Sequence, residues 1–174
     1  MSRLPGFGMR GFTLIELMVT VVVLTVVLSL AVPALQETIK NNRVTAQHNE
    51  LLSLINLAKS QAVRRNENVI LELFSDGFEW RGNVRLAGAV DDELDAGCPE
   101  IPGVIRCVAN RRVSLDSDPA VLTFNNRGYL DQASGDWDTA ELVLEHDGCN
   151  GQLQAREIRV LPTGQINSEA IACP

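Results

Sequence analysis

Two histidines, His48 and His146, are the side chains of this sequence whose ordinary pKa best suits general acid–base catalysis near neutral pH. Their spacing does not make them a pair, and no G-x-S-x-G sequence supplies a serine nucleophile for either of them. The glycines at residues 6–11 precede a long apolar run, so they do not form a phosphate-binding loop. We therefore expect solvated histidines, no catalytic residues and no cofactor.

Four cysteines, Cys98, Cys107, Cys149 and Cys173, lie in the C-terminal half and include no C-x-x-C pair. Zinc ligands usually come in closely spaced pairs, so this pattern argues against a metal site. Disulfides in an oxidising compartment are the better interpretation, with reduced cysteines expected only if the chain stays in the cytosol. Three pairings are possible. The nearest-neighbour pairing, Cys98–Cys107 with Cys149–Cys173, would close a short loop and tie down the C-terminus.

Acidic side chains outnumber basic ones, with 22 Asp+Glu against 15 Lys+Arg and a net charge of −7. Such a surface repels the phosphates of nucleic acids and of anionic membranes, so we do not expect nucleic-acid binding. The acidic run at residues 91–95 lacks the D-x-[DN]-x-[DN]-G spacing of a calcium loop. We interpret it as a solvated loop.

Two groups of arginines stand out against this acidic background. Arg64 and Arg65 are expected at the end of a helix, where cations interact favourably with the helix dipole. Arg106, Arg111 and Arg112 could contact a neighbouring subunit or a phosphate. A solvated edge, or salt bridges to the acidic loop, is the simpler interpretation of this second group.

An apolar segment from Phe12 to Leu35 precedes all of these residues, and its single charge is Glu16. As a helix it would span roughly 36 Å, enough for the core of a bilayer. A secretory signal peptide would be shorter and would end in small residues, unlike Gln36-Glu37-Thr38. An ordinary membrane anchor leaves Glu16 unexplained, because a charge at the centre of a spanning helix costs about 2.5–3.5 kcal/mol.

The sequence Gly11-Phe12-Thr13-Leu14-Ile15-Glu16 resembles the class III signal of type IV prepilins and type II secretion pseudopilins. The resemblance implies that a prepilin peptidase cuts between Gly11 and Phe12 and methylates the new amine of Phe12. It also implies that Glu16 pairs with that amine, in its own chain or in an adjacent one, and so sets subunit register. Low dielectric strengthens such a pair, and leaving either charge alone would be costly.

Arg3 and Arg10 precede the apolar segment, and the positive-inside rule keeps such residues in the cytoplasm. We therefore expect a single-pass protein of the bacterial inner membrane with a periplasmic head, where disulfides can form. Loss of residues 1–11 as a leader leaves 13 Lys+Arg against 22 Asp+Glu, a net charge of −9. Thr20, Thr25 and Ser29 are expected to hydrogen-bond back along the helix.

One long helix from about Phe12 to Arg65 is predicted, with a kink at Pro33. Its amphipathic half shows one apolar face with helical spacing, formed by Leu51, Leu54, Ile55, Ala58 and Ala62. We divide the chain into a leader (1–11), a transmembrane and fibre-core helix (12–35), the amphipathic half of that helix (36–66) and a β-rich head (67–174).

Short apolar runs separated by turn signals predict an antiparallel sheet after the helix. The fold class is therefore α+β, with the helix laid against the sheet as in pilins. The predicted strands are residues 69–74, 78–81, 84–86, 104–108, 112–115, 121–124, 142–145 and 157–161. Residues 87–103 are predicted to be a loop.

The head resembles one branch of the pilins, the H-type pseudopilins and the FimT/FimU minor pilins. The resemblance rests on residues 49–65, on Val121-Leu122-Thr123-Phe124-Asn125-Asn126-Arg127-Gly128 and on residues 156–166. A bridge between Cys149 and Cys173 would resemble the C-terminal disulfide of many pilins.

The resemblance implies a minor pilin that acts by assembly rather than by catalysis, in pilus initiation or at the pilus tip. Its partners would be other pilins, the prepilin peptidase and an inner-membrane assembly platform. One alternative is the H-type pseudopilin of a type II secretion system. Another is a DNA-binding competence pilin. Some FimT-like pilins bind DNA through basic residues near the C-terminus, whereas residues 162–174 contain no Lys or Arg.

Overall fold

The computed structural model describes residues 12–89, 98, 102–131, 139–149 and 154–173. A single helix, α1, runs from Leu14 to Arg65 and is followed by eight strands. Residues 1–39 and 40–174 form separate compact units. The strands are β1 (Val69–Asp76), β2 (Glu79–Leu86), β3 (Val104–Arg111), β4 (Val113–Asp118), β5 (Val121–Phe124), β6 (Ala140–His146), β7 (Ala155–Val160) and β8 (Ile166–Ile171).

The strands form two antiparallel four-stranded sheets, one in the order β3-β2-β1-β5 and the other β4-β6-β7-β8. Their side chains alternate between buried and exposed positions, as in β1, where Val69, Leu71 and Leu73 are buried. This alternation gives each sheet one apolar face. The expected α+β architecture, a long helix packed on antiparallel strands, is confirmed.

The second half of α1 shares one hydrophobic core with both sheets. Apolar residues recur on one face of the helix because positions three and four apart lie above one another. At Gly82 the helix comes so close that an added Cβ would stand 2.8 Å from Leu54 Cδ1. The largest fully buried side chains of this core include Leu51, Leu54, Ile55, Leu71, Trp80, Leu122, Phe124, Leu142, Leu144 and Ile158.

Several strand boundaries differ from the predicted ones. Two strands were expected at residues 78–81 and 84–86, but the structure has a single strand there, β2, which begins at Glu79. The prediction missed β8, because that edge strand has no alternating apolar face and mainly exposed or half-buried side chains. Of the predicted loop at residues 87–103, residues 90–97 and 99–101 lie outside the described part.

Candidate assembly site

The first turn of α1 is held by a cap that involves Thr13 and Glu16. The backbone N–H of Glu16 donates to the hydroxyl oxygen of Thr13 across 3.3 Å, immediately before the helix begins at Leu14. A threonine followed three residues later by glutamate is the sequence of a capping box. Phe12 lies just outside the helix and is 81% exposed, whereas Gly11 lies outside the described residues.

The apolar residues of α1 from Leu14 to Leu35 are exposed along the whole segment. The helix contains a window with a mean hydropathy of 2.6, none of it buried, and it is long and apolar enough to cross a membrane. Exposed apolar surface on this scale requires a lipid or protein environment to cover it. This segment of α1 can therefore anchor the chain in a membrane or pack against other apolar helices.

Polar side chains inside this apolar segment satisfy their hydrogen bonds within the helix. Thr20, Thr25 and Ser29 donate to the carbonyl oxygens of Leu17, Val21 and Val26 at 2.8, 2.8 and 2.7 Å. This confirms the expected back-bonding. The helix continues through Pro33, whose missing N–H leaves one carbonyl of the preceding turn without its usual donor. The kink at Pro33 stays a prediction.

His48 is buried, contrary to the expectation of a solvated side chain. Its Nε2 lies 2.7 Å from Ser168 Oγ on β8, and its Nδ1 lies 3.4 Å from Asn49 Oδ1. Burial lowers the pKa of His48 below its ordinary value, the Asn49 contact opposes that effect, and the Arg156 charge lowers the pKa further. The histidine therefore joins α1 to the edge of the second sheet as a neutral ring.

His146 is also buried, at 2% exposure, so the second histidine expectation is wrong as well. Its Nδ1 lies 2.8 Å from the carbonyl oxygen of Asp147, and its Nε2 has no hydrogen-bond partner in the described part of the chain. Beside it, Lys40 Nζ donates to the same Asp147 carbonyl at 2.8 Å. The two histidines contact different residues and do not form a common site.

The four cysteines form two disulfides, Cys98–Cys107 and Cys149–Cys173, with Cα–Cα distances of 5.4 and 5.8 Å. This is the nearest-neighbour pairing among the three that the sequence allows. The first bond ties residue 98 to β3, and the second joins the segment after β6 to the segment after β8. Among the described residues, no group of three His, Cys, Asp or Glu side chains could hold a metal ion.

Two arginines of the second group, Arg106 and Arg111, pair with acids of the helix and of β2. Arg106 Nη2 lies 3.8 Å from Glu50 Oε1, and Arg111 Nε lies 3.2 Å from Glu79 Oε1. Both pairs are substantially exposed, so each contributes little to stability. Neither pair involves residues 91–95, which lie outside the described part of the chain.

Arg159 on β7 lies among three glutamates of the second sheet. Its guanidinium is 2.6 Å from Glu157, 3.1 Å from Glu169 and 3.7 Å from Glu141. The hydrogen bond that Arg159 donates to Glu157 raises the pKa of Arg159 most, and the negative charges around it act in the same direction. Through these ion pairs the arginine links β6, β7 and β8 at adjacent register positions.

Several positioning residues were not identified from the sequence. Thr13 could have been found, since T-x-x-E before an apolar run is a helix-start signal. Gln47 could not, because it acts through distant partners: its Oε1 accepts from the Trp80 indole at 2.7 Å, and its amide donates to the Arg111 carbonyl at 2.9 Å. No local pattern predicts such a bridge.

Two family models match the chain. One, described as "Type II transport protein GspH", covers residues 47–164. The other, described as "Prokaryotic N-terminal methylation motif", covers residues 7–32, which include the segment that leads into α1. No curated protein matches the chain.

Two solved structures are similar to the chain, both of the type IV minor pilin FimU from Pseudomonas aeruginosa in different crystal forms. The first is 17% identical with a TM-score of 0.51, and it covers 72% of this chain and 91% of that one. The second is 18% identical with a TM-score of 0.52 and covers 74% and 89%. At this identity the likeness establishes the pilin fold.

Proposed function

Because the chain belongs to the family of the type II transport protein GspH and carries the N-terminal methylation motif, we propose that it is a minor pilin of a type IV pilus. The observation that carries the proposal is the exposed apolar helix that begins beside Phe12 and Glu16 and continues into the disulfide-bonded head. Such a subunit acts by assembly, and the family's members are structural subunits rather than enzymes.

In this proposal, residues 1–11 are a leader that a prepilin peptidase removes after Gly11. The peptidase methylates Phe12, and the helix of residues 12–35 then anchors the subunit in the inner membrane. The head faces the periplasm, because Arg3 and Arg10 hold the N-terminus in the cytoplasm. Residues 36–66 continue the helix, and residues 67–174 complete the head.

Assembly then moves the subunit from the membrane into a fibre. The apolar side chains of residues 12–35 pack against equivalent helices of other pilins, which removes them from lipid and from water. Glu16 neutralises the amine of Phe12 in its own or an adjacent subunit, and Pro33 loosens the helix locally. An inner-membrane assembly platform supplies the movement, and pilus initiation or the pilus tip is the place of action.

The H-type pseudopilin of a type II secretion system is the second candidate, favoured by the printed description of the matched family. Deletion of the gene in its host separates the two candidates. A minor pilin predicts loss of surface pili and of twitching motility with unchanged exoprotein secretion. Loss of exoprotein secretion with normal pili would overturn the pilus assignment in favour of the pseudopilin.

DNA capture is the function that the charge distribution favours least. The described end of the chain, residues 162–173, contains no Lys or Arg and includes Glu169. The mature net charge of −9 also opposes contact with a long polyanion. Loss of DNA uptake in a deletion strain that still assembles pili would reinstate this function.

A further inference from the structure

Arg64 and Arg65 at the carboxyl-terminal end of α1, and Arg127 in the turn after β5, have no carboxylate partner within the described part of the chain. Arg64 Nη2 and Arg65 Nε both donate to the amide oxygen of Gln61, each at 3.1 Å. The hydrogen bond formed by Arg127 comes from its backbone N–H, which donates to Asn125 Oδ1 at 2.9 Å. The three guanidinium groups therefore keep most of their donors available.

Lack of an ion pair does not by itself distinguish these arginines, because Arg43, Arg112 and Arg156 also have none among the described residues. Elsewhere in the head the structure pairs guanidinium groups with carboxylates, as in Arg85–Glu72, Arg106–Glu50, Arg111–Glu79 and Arg159–Glu157. Glu67 lies two residues beyond Arg65 and is exposed, yet no ion pair joins it to any of the three arginines. What distinguishes Arg64, Arg65 and Arg127 is that the fold brings them to one end of the helix with no carboxylate of the described residues paired to them, where an external anion can bind.

The structure brings these arginines together although Arg127 is distant from the other two in sequence. Asn126 Nδ2 donates to Asn66 Oδ1 at 3.0 Å, immediately after the end of α1. On the other side of Arg127, an added Cβ at Gly128 would stand 3.2 Å from Val63 Cγ2. Arg127 is thus held between two contacts with the last turn of the helix.

Val63, which precedes Arg64, and Tyr129, two residues after Arg127, are 52% and 49% exposed. We define the arginine patch as Val63, Arg64, Arg65, Arg127 and Tyr129. Arginine and tyrosine are enriched at protein–protein interfaces, where they provide planar donors and rigid contact area, whereas lysine is depleted. The composition of the patch is therefore that of a protein contact.

We propose that the arginine patch is a docking surface for a carboxylate-bearing segment of a neighbouring fibre subunit. Guanidinium groups bind carboxylates through paired, charge-assisted hydrogen bonds, and the apolar and aromatic neighbours exclude water around them. A long nucleic acid fits less well, because it would extend over a head with an excess of acidic residues. This inference rests on the proposed function and names the chemistry of the subunit contact.

Carbodiimide crosslinking of the full-length protein in its host tests this surface. The reagent joins lysine amines, but not guanidinium groups, to nearby carboxylates, so the variant Arg64→Lys, Arg65→Lys, Arg127→Lys keeps the charge and adds reactivity. The matched control is Arg106→Lys, Arg111→Lys, Arg112→Lys. We expect the patch variant to give crosslinks to Asp or Glu of another subunit about tenfold more often than the control. Equal yields, or crosslinks within the same chain alone, would overturn the proposal.

Charge reversal provides the second arm of the experiment. The variant Arg64→Glu, Arg65→Glu, Arg127→Glu should lower the amount of protein in sheared fibres about tenfold, whereas reversal at the three control positions should not. Normal incorporation of the patch variant would refute the docking surface and leave the pilin assignment intact. Absence of the wild-type protein from fibres would refute the pilin assignment itself, and crosslinking in membrane complexes would still test the patch. Binding of short double-stranded DNA that the reversal abolishes would replace the protein partner with a nucleic acid.

Discussion

The backbone N–H of Glu16 donates a hydrogen bond to the hydroxyl oxygen of Thr13 across 3.3 Å. This contact caps the first turn of α1 and places a carboxylate where the positive end of the helix dipole stabilises it. The cap uses the backbone N–H of Glu16, whereas the proposed pairing with the amine of Phe12 uses its carboxylate. The two roles require different chemistry and can be separated by substitution.

Glu16→Gln should leave the helix start intact and still block assembly. Glutamine can replace glutamate in a capping box, but it cannot neutralise an amine. We expect normal leader removal, measured as intact mass, and about a tenfold loss of the subunit from sheared fibres, measured by immunoblotting.

Thr13→Ala is the matched control, because it removes the cap and keeps the charge. Loss of a cap costs about 1 kcal/mol of helix stability, which a helix of this length tolerates. We expect near-normal incorporation of this variant. Equal loss of both variants from fibres would show that the cap, not the charge, is what assembly requires.

Gly164→Ala should destabilise the head through two separate effects. Gly164 has φ +74°, and an added Cβ would overlap the carbonyl oxygen of Gly128. The left-handed backbone alone costs a non-glycine residue roughly 1–2 kcal/mol, and the overlap adds to this cost. Thermal unfolding of the full chain in detergent, followed by circular dichroism, measures the sum.

Two other glycines serve as controls for that experiment. Gly77 has φ +58° and open space around it, so Gly77→Ala should show only the backbone cost. Gly88 also has open space around it, and Gly88→Ala should be close to neutral. If Gly164→Ala had a Tm as high as that of Gly77→Ala, the close packing of Gly164 against Gly128 would be contradicted.

Cys173→Ser should destabilise the head by about 3 kcal/mol, because the Cys149–Cys173 bond closes a loop with a sequence separation of 24. Cys98→Ser opens a loop with a separation of 9 and should cost about 1 kcal/mol less. Chemical denaturation of oxidised protein compares the two variants. Identical midpoints for Cys173→Ser and the wild type would show that this bond does not stabilise the head.

Stability should fall as the pH drops below 6.5, the ordinary pKa of histidine, because of His48. Burial lowers the pKa of this side chain in the folded state, so below 6.5 the unfolded chain takes up a proton that the folded chain does not. The stabilisation is complete above 6.5 and is lost as the pH falls towards the lowered folded pKa.

His48→Gln removes this titration, and its denaturation midpoint should depend less on pH than that of the wild type over the same interval. The remaining slope of the variant reports the other titrating groups. Parallel curves for the two proteins would show that burial of His48 does not couple folding to protonation.

The helix and most strands could be predicted because their patterns are local. The helix α1 ends at Arg65, directly before the turn signal at Asn66, and the run at residues 121–124 coincides with β5. The prediction of two strands in place of β2 was wrong. Glycine usually weakens a strand. Here Gly82 instead allows Leu54 of the helix to pack closely against the sheet.

Long-range partners could not be predicted, because charge and polarity do not reveal which distant residue will cover a side chain. His48 belongs to the polar stretch of the helix sequence, yet in the fold it is buried and contacts Ser168 on β8. Lys59 is half-buried, and its Nζ donates to the carbonyl oxygen of Gly164 at 2.8 Å. The strand β8 itself is defined by its pairing with β7 rather than by its own sequence.

The most direct measurement is the intact mass of this protein recovered from sheared surface fibres, with the inner-membrane fraction measured in parallel. We expect a species in the fibres that begins at N-methylated Phe12 and contains both disulfides. A processed species confined to the inner membrane would contradict the assignment to a pilus. A chain that still begins at Met1 would contradict the processing on which the whole account depends.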